Sequence, residues 1–195
     1  VANQQQLFQM FEQLLSTGEL APSDFVHLAK TKVNEQTLNV LDKAQHGEVS
    51  ETLSDHVKPE DLSSGSSNIL HQIKSSPIKD ELDSINVEIL GVVASMFDAI
   101  FDDADVPDRI KTLVARLQIP ILKVTLIDKS FFSGSNHPAK ELLNSIVTAS
   151  TDLIDDDWQD TLYEKARSII NQINDNFSDD IQVFIDVVTE FNKFI

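Results

Sequence analysis

The chain has 195 residues, enough to enclose a core of its own, and sets 32 acidic residues against 15 basic ones for a formal net charge of -17. A field of that sign repels phosphate backbones and anionic lipid surfaces, which need a basic footprint, so neither nucleic acid nor a membrane is an expected partner. The absence of cysteine excludes disulfides, thiolate zinc sites and a cysteine nucleophile, and the compartment this suggests is the cytoplasm.

In chain order, Leu7, Phe8, Phe11, Leu14 and Leu15 recur at three- and four-residue steps and predict a first amphipathic helix. Ser23 or Asp24 can cap a second, whose face of Val26, Ala29, Val33, Val40, Leu41 and Ala44 runs to His46-Gly47, so residues 1–47 read as a helical hairpin. Residues 48–79 are rich in serine and broken by Pro59, Gly65 and Pro77, the texture of a linker, with Ile69, Leu70 and Ile73 offering a turn or two of helix.

Residues 80–195 carry the dense apolar pattern of a core helical domain. Leu82 to Phe101 predicts a central helix that stops at Asp102-Asp103. The next helix passes through Leu113, Val114 and Leu117 into Pro120, which removes a backbone donor and predicts a kink or break. Further helices open near Pro138, Asp156 and Ser178. The expected class is all-α, about seven helices in an antiparallel bundle or hairpin stack around the proline-kinked helix. The chain starts without methionine and ends on Phe191, Phe194 and Ile195 in unbroken helical spacing, so it reads as a piece of a longer protein.

Candidates for chemistry have simpler readings. The acidic clusters at 102–108, 155–157 and 179–180 sit at helix boundaries, where carboxylates cap backbone amides, and none has the spacing of a calcium loop. The five histidines show no metal-binding i,i+4 pair, and no glycine-flanked serine or phosphate-cradling glycine loop is present. No metal or cofactor is expected. One basic feature survives: Arg109, Arg116 and Lys123 are seven residues apart, with Lys111 and Lys129 nearby, which on a continuous helix makes a stripe for an anion or an acidic partner.

Asp103 through Pro107, the run Leu117-Gln118-Ile119-Pro120-Ile121-Leu122-Lys123-Val124, Asp128-Lys129-Ser130-Phe131-Phe132, His137-Pro138-Ala139 and Leu142-Leu143-Asn144 together resemble an uncharacterised proteobacterial family, domain of unknown function number 1631. The resemblance covers about residues 85–195 and implies a long bacterial cytoplasmic parent protein. Some members carry the label thymidine phosphorylase, an activity that needs pyrimidine and phosphate sites on a larger mixed scaffold; the residues show neither. Lys140-Glu141 stands where the resemblance leads one to expect two arginines, and the acid reverses the local field.

The expected function is therefore a non-enzymatic interaction or scaffold domain, regulatory in setting, that contacts a protein partner or other parts of the parent chain. Its candidate surfaces are Arg109, Arg116, Lys123 and Lys129, and the flank of Leu7, Phe8 and Phe11. The alternative is a small-anion or nucleotide sensor whose pocket is bordered by the kinked helix and Phe131-Phe132. An enzyme would require an unusual pair such as Asp128 with Lys129 or His137 with Asp102.

Overall fold

The computed structural model describes residues 30–65, 67–133, 137–151 and 156–195. The first expected helix, its Leu7, Phe8 and Phe11 flank, and the Ser23 or Asp24 cap lie outside the described residues. Among the described residues there are ten α-helices, one 3-10 helix and no strand, so the class is all-α with more and shorter helices than the periodicity predicts.

The first is α1, Glu35–Gln45, capped by the Asn34 side chain accepting from the Thr37 amide and ended by Gly47 at φ +80°. Next come α2 (Pro59–Ser64), α3 (Ile69–Ser75) and the single turn α4 (Ile78–Glu81). These occupy the stretch whose composition suggested a linker. Leu53, Val57, Leu70, Ile73 and Ile78 are all buried in the same apolar core as the later helices. The serines serve the backbone here: Ser76 Oγ donates to the Ile73 carbonyl at 2.6 Å, and Ser54, Ser63 and Ser75 make similar local bonds. Ordering is offset by packing against neighbours that local composition does not reveal.

Asp83 caps α5, Ser84–Asp102, by accepting from the Asn86 amide at 2.8 Å. This helix is long and apolar enough to cross a membrane, with a mean hydropathy of 1.6 over its best window. It buries one face, which includes Asn86, Leu90, Val93 and Phe97, and packs against α3 and α7. The expected proline kink resolves into two helices, α6 (Asp108–Ala115) and α7 (Gln118–Ile127). The break precedes Pro120: Arg116 and Leu117 donate to carbonyls three residues back, tightening the chain into a 3-10 turn, and Pro120 enters the first turn of α7, where its missing N–H would be unpaired anyway. Nine of the ten residues of α7 are buried. That makes α7, rather than α5, the centre, with α1, α3 and α5 around it.

The 3-10 helix Lys129–Phe132 leads to α8 (Pro138–Thr151), α9 (Asp156–Asn176) and α10 (Gln182–Phe194), which pack on one another, with α6 touching both α8 and α9. Asn192 on α10 donates to Glu141 on α8 at 2.6 Å, so the acid that replaces an expected arginine ties two helices together. On the other side Lys165 donates to Glu190 at 2.6 Å and holds that carboxyl below its ordinary range.

Gly65 fixes how α2 meets α6. Its φ of +61° belongs to the left-handed region, and a Cβ there would stand 2.4 Å from the Thr112 carbonyl oxygen. Gly65→Ala is expected to lower the unfolding free energy by about 1–3 kcal/mol through strain and displacement of α2, read by urea unfolding.

Candidate functional site

The four basic residues expected to share a surface are separated by the fold. Arg109 is exposed and bonded to Asp160 at 2.6 Å, with its guanidinium 4.3 Å from the Tyr163 ring centre, so it ties α6 to α9. Arg116 donates to the Asn171 side chain of α9 at 2.8 Å. Lys123 is only 1% exposed, and its Nζ donates to Asp42 Oδ1 (2.8 Å), Gln45 Oε1 (2.9 Å) and the Phe177 carbonyl (3.5 Å). Lys129 is also buried, donating to Asn86 Oδ1 at 2.9 Å and to the Leu126 carbonyl. A spacing of seven marks one face only while the helix continues; the break at Arg116 and Leu117 and the burial of α7 on all sides dissolve the stripe.

What the fold assembles instead is a knot of helix ends. The Lys123 ammonium sits between the last turn of α1, which supplies Asp42 and Gln45, and the end of α9, which supplies the Phe177 carbonyl. Gln45 completes it by donating Nε2 to the carbonyls of Asn174 (2.9 Å) and Phe177 (2.7 Å). Helix C-termini collect negative partial charge and unpaired carbonyls, so a buried cation and an amide donor are the groups that such a junction needs. Sequence reading missed Asp42 and Gln45. Their signal was two polar side chains in the last turn of an amphipathic helix, beside apolar Leu41 and Ala44.

Over this knot lies an open cleft of about 420 Å³. Ile69 and Ile119 give it apolar floor, while Gln45, Ser63, Arg116 and Asp175 bring polar groups to it from the last turns or ends of α1, α2, α6 and α9. A second cleft of about 420 Å³ lies between α3, α5 and α6, lined by Asn68, Asp98, Lys111 and Thr112. There Asn68 donates to Asp98 at 2.8 Å, and His71 Nε2 lies 2.7 Å from the other oxygen of the same carboxylate.

A third polar group joins the 3-10 helix to α8. His137 Nδ1 accepts from the Ala139 amide at 3.2 Å and so caps α8, which leaves the proton on Nε2, 3.5 Å from Asp128. The structure thus sets His137 beside Asp128, and not Asp102, with the Phe131 ring 5.2 Å away. Burial holds the imidazole below its ordinary range, against the raising pull of Asp128. Burial likewise pushes Lys129 down to about 8, against Asp83 and Asp128.

The family comparison covers this whole arrangement. The family model described as "Protein of unknown function (DUF1631) 2nd domain" matches residues 31–180, from just before α1 to the loop ahead of α10. The chain belongs to this family. The match starts well upstream of residue 85, the expected start of the resemblance, and ends at 180 rather than 195; it takes in α1 to α4, so the knot and both clefts fall within the family domain. No curated protein and no solved structure matches the chain.

The two depressed groups give a pH signature. Unfolded histidine titrates at about 6.5, and folded His137 takes up its proton only at lower pH; the unfolded state therefore binds more protons in that interval, and stability falls as pH drops below 6.5. Folded Lys129 releases its proton at about 8 and the unfolded chain at 10.5, so stability rises with pH between those values. Urea unfolding across pH 5 to 10.5 is expected to show both trends, the first missing in His137→Gln and the second in Lys129→Met.

Proposed function

We propose that this chain is a non-enzymatic interaction domain of a larger bacterial cytoplasmic protein, and that the cleft above Gln45 and Arg116 is its docking surface. The observation that carries this reading is the cleft itself, open between the ends of four helices and mixing apolar floor with polar rim. The polar side chains around it already have structural work. Lys123, Gln45 and Asn174 bond to backbone or side-chain partners on neighbouring helices. The pairs that an enzyme would need also serve the scaffold: Lys129 binds Asn86 and Leu126, and His137 caps α8.

An anion sensor is less well supported. Of the four expected basic residues, Lys123 and Lys129 are buried, Arg109 pairs with Asp160, and Arg116 alone reaches the cleft. A nucleotide panel at millimolar concentration is expected to leave the thermal midpoint unchanged, since no binding means no mass-action stabilisation.

The direct test is affinity capture from lysate of the source bacterium with three baits: the unaltered chain, Ser63→Trp and Thr189→Trp. Ser63 is exposed on the cleft rim, and Thr189 is exposed on α10 outside it. A partner recovered by the unaltered chain and by Thr189→Trp should fall at least about tenfold with Ser63→Trp, the scale of a lost central contact. Equal recovery by all three baits would remove the cleft from the proposal.

A further inference from the structure

We propose that one flank of α5 is a docking surface within this chain, and that its occupant is the amphipathic segment Leu7–Leu15, which lies outside the described residues. Among the described residues α5 alone is long and apolar enough to cross a membrane, yet only 33% of its most apolar window is buried. Asn86, Leu90, Val93 and Phe97 are enclosed as the helix packs against α3, α6 and α7. Along the adjoining flank Ile85, Val92 and Ala99 follow one another at seven-residue steps, with Met96 one turn from Val92. α5 runs unbroken from Ser84 to Asp102, so this spacing keeps them in one line, in contrast to the basic residues at 109, 116 and 123. Ile85, Val92 and Met96 are half-buried and Ala99 is exposed. Glu88 is the one charge from Ser84 to Phe97, so water meets a long apolar edge.

The segment has the chemistry to cover that edge. Leu7, Phe8, Phe11, Leu14 and Leu15 recur at helical steps, and Glu12 is the sole charge from Val1 to Gly18 in a chain that is 24% charged. A helix this short is marginal in water by itself and is stabilised chiefly by a surface that takes its apolar side. The chain also enters the described fold beside α5. Lys32 offers its carbonyl to Asn86 Nδ2 at 3.3 Å in the first turn of that helix, and Asn34 donates to the Glu81 carbonyl just ahead of it. Residues 16–31 reach up to roughly 50 Å when extended, and α5 is roughly 28 Å long, so Leu7–Leu15 has access to the whole edge.

On this assignment Leu7, Phe8 and Phe11 are taken up inside the chain rather than offered to a partner. The cleft above Gln45 and Arg116 is a separate surface, and the two proposals stand or fall independently.

The test is hydrogen exchange, read by mass spectrometry on the complete chain. Amides of residues 7–15 should exchange at least about tenfold more slowly than in a peptide of the same sequence alone. Ala99→Glu sets a charge on the edge at an exposed position, and should return those amides close to the peptide's rate while α7 keeps its protection. Thr189→Glu, exposed on α10, adds the same charge and should alter neither. A second readout uses the absence of native cysteine: the single thiol of Ala99→Cys should react with a maleimide several-fold faster once Phe11→Glu is added. Rapid exchange of residues 7–15 in the unaltered chain, equal protection in Ala99→Glu, or an unchanged labelling rate would overturn the proposal. Protection that disappears on dilution would assign the edge to a second copy of the chain and overturn the choice of occupant.

Discussion

The buried ammonium of Lys123 ties together the helix ends on one side of this domain. Lys123 projects from the most enclosed helix, α7, and its three donors reach two side chains of α1 and a carbonyl at the end of α9. Removing such a group from water costs several kcal/mol, so it persists only where every donor is met, and here every donor is met by a different group on α1 or at the end of α9. Asp42 is 44% exposed on its side chain, which keeps part of the pair in contact with solvent and eases that cost. The consequence is directional: α1 and α9, far apart in sequence, are brought end to end on one side of α7.

That geometry also leaves a recess at the surface. Helix ends that converge cannot fill the space between them as helix faces do, because the backbone turns away at each C-terminus. Gly47 carries the chain off α1 at φ +80°, Gly65 carries it off α2 at φ +61°, and the 3-10 turn at Arg116 and Leu117 redirects α6 into α7. The recess left among them is lined by residues from all four ends. Ile69 and Ile119 provide apolar area in it, while the carbonyls of the surrounding helix ends are already met by Lys123, Gln45, Asn174 and backbone amides.

Much of the fold was legible from periodicity. The apolar positions of α5, α8, α9 and α10 repeat at helical spacing, and Leu90, Leu143, Ile170 and Phe184 are buried where that repeat puts them. Residues 48–79 were not legible, because their apolar side chains are few and widely spaced, and their burial depends on α5 and α7 rather than on their own neighbours. Pro120 correctly signalled an interruption, but its position could not show that the chain would turn three residues earlier and spend the proline in a first turn. The basic stripe failed for the same reason: Lys123 looks like a surface residue until α7 is found enclosed on all sides. A charge inside an apolar run such as Ile121-Leu122-Lys123-Val124 reads more safely as a buried ammonium with partners still to be found.

The central claim is that Lys123 holds α1 and α9 together through its ammonium and not through the bulk of its stem. Equilibrium urea unfolding of Lys123→Met tests it most directly, since methionine keeps the apolar stem and leaves Gln45 Oε1 and the Phe177 carbonyl without this donor. The account predicts a loss of about 3 kcal/mol, the usual consequence of removing one member of a buried polar group. Stability within about 0.5 kcal/mol of the unaltered chain, the range of an ordinary surface change, would contradict it.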